Sequence, residues 1–300
     1  MNKRGMGLFL LVTFGLEALG VAGIWMAGDA SPIVMLIILA VILAAPALGF
    51  LAASKFGEDT GYKGGLWLWP LPIRAAIRLV VVIPASFAAV HILVATVSGI
   101  SLDWNLYNVI PETSFALLEM TPQEHFVRSR LIVGAFILLN TALGCLIIPW
   151  FVLGIESGWR GFLMPRLMHF GRVPMHVISG ILWSLWLLPL TLPFANPYEN
   201  PRIIATILLL GFTLNTFLNE ASLRQKNMGL TAMALGLFAS HIFGIWWNLY
   251  PFSFEGYLMV CWALTVLLFL GAFFAGPLLG VKREDEQEPP KIMHTEIPSA

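Results

Sequence analysis

The residues of this chain able to do chemistry are few, and they stand out because their surroundings are apolar. Of 300 residues, 58% are hydrophobic and 11% are charged. Inside or beside the long apolar runs stand Glu17, His91, Glu156, Arg160, His176 and His241. Such groups are expensive at membrane depth and normally face the interior of a helix bundle. The densest group is the stretch from Gly154 to Leu167, Gly-Ile-Glu-Ser-Gly-Trp-Arg-Gly-Phe-Leu-Met-Pro-Arg-Leu. Glu156 and Arg160 are four apart, so on a helix they share a face and can pair. Such a pair could orient the carboxylate as well as neutralise it. Pro165 is expected to bend or end the helix that carries them. Glu17 has no partner nearby in sequence and reads as an interior carboxyl. His91 and His176 fall near the ends of apolar runs, where a ring can reach interfacial water.

The elements that position these groups must be membrane helices. A soluble domain carries roughly 25% charged residues, and this chain has too few to coat an apolar core in water. Its mean hydropathy is +0.82. A span needs about 20 apolar residues, and eight runs qualify: 6–28, 32–54, 75–98, 131–154, 174–195, 203–219, 229–250 and 257–280. Unpaired backbone cannot face lipid, and no alternation of period two suits a barrel, so the runs are expected to be helices. The expected fold is an all-α integral membrane protein, a bundle of about eight transmembrane helices. The first run, after Lys3 and Arg4, is too long for a signal core and reads as a retained anchor.

Eight spans with the N-terminus inside place fourteen Lys and Arg on one face and three, Arg128, Arg130 and Arg202, on the other. That bias is expected to put both termini in the cytoplasm. Formal net charge is zero, which gives no reason to expect a nucleic-acid partner; membrane lipid is the partner that composition implies. Residues 1–130 hold the first three spans and an outer loop, 99–130. Residues 131–250 form a core unit, 251–281 the last span, and 282–300 a polar tail expected to be disordered. Cys145 and Cys261 both lie in apolar runs and read as spacers without a disulfide.

In its first motif the core unit resembles the CPBP family, the intramembrane CAAX-protease and bacteriocin-processing group. That family's pattern is Glu-Glu-x-x-x-Arg, often written EExGWRGFLLPRL. Aligning Gly158-Trp159-Arg160-Gly161 puts Glu156 on the second glutamate and Arg160 on the arginine. Downstream, Ile181-Leu182-Trp183-Ser184-Leu185-Trp186-Leu187-Leu188-Pro189 resembles the second motif, typically WALWHLP. The resemblance implies an intramembrane metalloendopeptidase that cuts prenylated or leader-bearing peptides, with zinc as cofactor if the site is active. It also assigns Glu156, Arg160 and His241 as catalytic positions, with Glu156 and His241 as metal ligands.

The departures fall on the chemistry. The first glutamate of the pattern is Ile155, and the second-motif histidine is Leu187. Neither side chain accepts a proton or binds a metal. The third motif pairs a histidine with Asn or Asp four residues on, but Ile245 follows His241 at that distance. Asn248 is seven residues on, about 10 Å along a helix. A catalytic zinc normally takes three protein ligands, and Glu156 with His241 supplies two. The sequence therefore reads as a degenerate site with no cofactor, on a scaffold that serves to bind or regulate a membrane-anchored protein or peptide client. An active endopeptidase with a rearranged site is the alternative. A small-solute transporter is a third reading, against which stand the lack of repeat halves and of a Gly/Pro-broken helix pair.

Overall fold

The computed structural model describes residues 3–27, 32–57, 70–100, 102, 122–191, 201–244, 246 and 254–280. Among these residues the chain is helical and forms no sheet. The order is α1 (Lys3–Ala27), α2 (Pro32–Phe56), α3 (Ile73–Ser98), α4 (Pro122–Leu146) and α5 (Ile148–Glu156). A π-helical segment (Ser157–Leu163), α6 (Met164–Leu167) and a 3-10 turn (Met168–Phe170) continue directly from α5. Then come α7 (Arg172–Thr191), α8 (Arg202–Gln225), α9 (Met228–Ile242), α10 (Phe254–Phe273) and α11 (Ala275–Leu279).

Six of the described helices are long and apolar enough to cross a membrane: α1, α2, α3, α4, α8 and α10. The all-α membrane class is thus shown, and the described residues alone do not confirm the count of eight. The run 174–195 became α7, whose 20 residues include Arg172, His176, Ser179 and Ser184. Within the run 229–250 the described helix is α9, 15 residues long, against the roughly 20 a span needs; residues 245 and 247–250 lie outside the described residues. The fourth run, 131–154, is not one helix. Pro149 has no N–H to give the Cys145 carbonyl, and the chain breaks at Ile147 between α4 and α5. In the other direction α4 starts at Pro122, so residues 122–130, expected in the outer loop, are helical. The rest of that loop, apart from Gly99, Ile100 and Leu102, and the tail 282–300 lie outside the described residues.

The site sits where α5 passes into the π-helical segment. Pro165 neither ends the helix nor stands alone as its irregularity. Its missing N–H leaves the Gly161 carbonyl without a donor, and the preceding turn is widened, with the Met164 N–H bonding the Trp159 carbonyl. The helix ends instead at Gly171, whose φ of 99° suits only glycine. Gly158 lets the π segment press on α2: a β-carbon there would lie 2.4 Å from the Pro46 carbonyl oxygen. Gly144 and Gly236 do the same for α4 and α9; a β-carbon on Gly236 would lie 2.4 Å from the Gly144 carbonyl oxygen.

Candidate functional site

The turn that widens after Glu156 aims Arg160 inward, across to α8. Glu156 and Arg160 are both fully buried and joined by a 2.9 Å bond from Nη1 to Oε1. The expected pair is therefore present. What sequence reasoning missed is how completely the guanidinium is held. Nε donates to Asn219 Oδ1 at 3.2 Å, and Nη2 donates to Asn215 Oδ1 at 2.8 Å and to the Asn215 carbonyl at 3.4 Å. The guanidinium carbon also stands 5.7 Å from the Trp183 ring, within cation–π range. All three guanidinium nitrogens are engaged.

Asn215 and Asn219 are one turn apart on α8, and Ser179 fixes both. Their amide nitrogens donate to Ser179 Oγ on α7, at 3.1 and 2.9 Å. Each amide thus presents oxygen to the arginine and nitrogen to the serine, which settles which way both face. Two asparagines at one-turn spacing in an apolar span were the available sequence signal, since buried amides must find partners.

Trp159, Trp183 and Trp186 wall this network, with ring centroids 5.9 Å apart for Trp159–Trp186 and 6.0 Å for Trp183–Trp186. Glu156 Oε2 is buried without a hydrogen-bond partner. The Thr231 hydroxyl of α9 lies beside that carboxylate but is committed to the Met228 carbonyl at 2.9 Å. Ile155 is buried in the core, and Leu187 packs partly buried against it. Leu187 Cδ2 lies 3.3 Å from where a β-carbon on Gly211 would be.

His241 belongs to a different cluster. Ten residues beyond Thr231 on the same helix, it stands about 15 Å further along the axis. Its Nδ1 accepts the Trp246 indole N–H at 3.0 Å, so the ring proton is on Nε2, which donates to Thr141 Oγ1 at 3.1 Å. Thr141 passes its own proton to the Ile137 carbonyl at 2.8 Å. The ring is a neutral, doubly bonded core histidine against Phe87, 5.4 Å away. The structure does not bring His241 to Glu156 and Arg160. Ile245 and Asn248 lie outside the described residues.

The remaining expected groups also have assignments. His91 does not reach water: it is buried, gives Nδ1 to the Phe87 carbonyl at 2.7 Å, and lies 4.9 Å from the Trp246 ring. His176 bonds Glu220 Oε1 at 2.6 Å. Glu220 also accepts from Arg172 Nε at 2.8 Å, from Arg172 Nη2, and from Arg224 Nε at 3.1 Å. This carboxylate, also missed in the sequence, ties α7 to α8 next to Asn219. Glu17 is buried, as expected. Cys145 and Cys261 are free thiols.

These residues do not fit a zinc ion. Glu156 gives Oε1 to Arg160, Leu187 offers no donor, and the Nδ1 lone pair of His241 is taken by an indole, so no second ligand among the described residues stands beside the carboxylate. Among the described residues no group of three or more His, Cys, Asp and Glu is placed to hold a metal. What the arrangement can do is hold a Glu–Arg pair in a buried core and lock three helices around it. No family model matches the chain, and no curated protein matches it. The fold and site define an all-α protein of membrane type with a buried Glu–Arg–Asn network.

Proposed function

We propose that this chain is a CPBP-type multi-pass membrane protein that holds a membrane-anchored protein or peptide client and does not cut it. α7 and α9 complete eight spans in a plasma membrane, with both termini cytoplasmic. The observation that carries the reading is the state of Arg160. Every nitrogen of its guanidinium is engaged by Glu156, Asn215 or Asn219, so the first-motif pair works as a fixture of the bundle.

Hydrolysis inside a membrane needs a water activated by a positioned base. Ile155 and Leu187, on the two positions where the family carries that base and its partner, cannot polarise water. The rearranged endopeptidase would need Glu156 and His241 around one point, and the separation along α9 speaks against it. No observation favours the transporter.

The test uses purified protein in lipid nanodiscs with fluorescent peptides, one set bearing a prenylated CAAX end and one a double-glycine leader. The expected result is saturable binding of one set with the peptide recovered intact. Cleavage that disappears in Glu156→Ala, or no binding of either set, would overturn the proposal.

A further inference from the structure

Glu17 lies in α1, and nothing above uses it. Its side chain is buried, and its Oε1 has no hydrogen-bond partner. A charged carboxylate without a cation or N–H donor is not tolerated at such a place. The question is what a carboxyl there can bind.

The packing of α1 on α2 answers it. Along the pair, Gly57 meets Gly5, Gly49 meets Thr13, Gly20 meets Ile42 and Gly23 meets Ile38. The contacts are close: a β-carbon on Gly20 would lie 2.4 Å from Ile42 Cγ1, and one on Gly49 would lie 2.4 Å from Thr13 Oγ1. This antiparallel register brings Glu17 to the level of Ala45 and Pro46. Pro46 stands inside α2. It has no N–H, so the Ile42 carbonyl, which points along the axis to that level, loses its helical donor. In a membrane no water replaces it. By this register, a carbonyl without its helical donor and a carboxyl with an unpartnered Oε1 fall at the same level of the α1–α2 pair. A neutral carboxylic acid is a hydrogen-bond donor, and an ionised one is not.

We propose that Glu17 is a proton-binding site: it is carried as the neutral acid and donates its proton to the Ile42 carbonyl, replacing across the helix interface the bond that Pro46 deletes. The proton is the ligand, and the backbone vacancy at Pro46 is what recognises the protonated form. The proposal is independent of what the Arg160 network does.

A double-mutant cycle tests it, read as the thermal unfolding midpoint of the full chain in detergent. Glu17→Leu should lower the midpoint, and Glu17→Gln, which keeps a donor, should leave it near wild type. Pro46→Ala restores an N–H for Ile42, so Glu17→Leu should cost little or nothing in that background. Equal losses from Glu17→Leu in both backgrounds would overturn the proposal, as would a rise in midpoint on Glu17→Gln. Infrared difference spectra of wild type against Glu17→Gln give a readout independent of the proline variant. A carboxylic-acid carbonyl band present at neutral pH and absent in Glu17→Gln is expected. A carboxylate band in its place would overturn the assignment.

Discussion

Arg160 and Asn215, 55 positions apart in sequence, are joined by a bond of 2.8 Å inside a fully buried network. That contact links the π-helical segment to α8, and through Ser179 to α7. A charge buried this deeply is stable only while its partners stay in place.

Removing one member of the Glu156–Arg160 pair should therefore be severe. Glu156→Ala or Arg160→Ala each leaves an uncompensated buried charge, at a cost of about 3–5 kcal/mol. Replacing both with apolar residues of similar size should cost clearly less than either alone. Thermal or denaturant unfolding in detergent, compared across the four proteins, measures it.

Asn215→Leu removes an acceptor from the guanidinium and a donor from Ser179. Hydrogen bonds to charged groups are worth about 1.5–3 kcal/mol, and the loss should fall in that range. Ser179→Ala touches only the neutral end of the network and should cost less. The same unfolding measurement ranks the two.

Legibility in the sequence divided along a physical line. Apolar runs long enough to cross lipid are a strong signal, and α1, α2, α3 and α8 lie close to the expected runs. The spacing of Glu156 and Arg160 showed their pairing because four residues on a helix fix proximity. Whether a fourth run is one helix or two depended on the single missing N–H of Pro149, which hydropathy does not register. The partners of Arg160 were hidden because they come from α8, and no local spacing reports a contact made by tertiary packing. The same holds for Glu220, which looks like an ordinary span-end carboxylate until α7 brings Arg172 and His176 to it. The choice of His241 rested on its being the nearest candidate for the third-motif histidine; its engagement by Thr141 and Trp246 is visible only in the folded chain.

Glycine contacts separate close helix packing from mere flexibility. At Gly144 a β-carbon would lie 2.3 Å from Ser240 Oγ and 2.8 Å from Leu237 Cα, whereas at Gly134 nothing lies within 4 Å. Gly144→Ala should push α4 from α9 and lower stability by about 1–3 kcal/mol, the usual cost of overpacking. Gly134→Ala, on the same helix, should be neutral within about 0.5 kcal/mol.

The Glu220 cluster should be asymmetric. Arg172 is 50% exposed at its side chain and Glu220 only 8%. Arg172→Ala gives up a solvent-screened pairing, worth about 0–1 kcal/mol. Glu220→Ala removes the shared acceptor of Arg224 and His176 in a partly buried site and should cost more. Hydrogen exchange at the Arg172 end of α7 should rise in Glu220→Ala and stay near wild type in Arg172→Ala.

The central claim is that Glu156 serves Arg160 and not a water molecule. Its most direct test is turnover of prenylated CAAX and double-glycine-leader peptides by purified protein supplied with zinc, wild type beside Glu156→Gln. The account predicts no cleavage above background by either protein and no zinc retained after dialysis. Stoichiometric zinc in the wild type, with turnover that vanishes in Glu156→Gln, would contradict it.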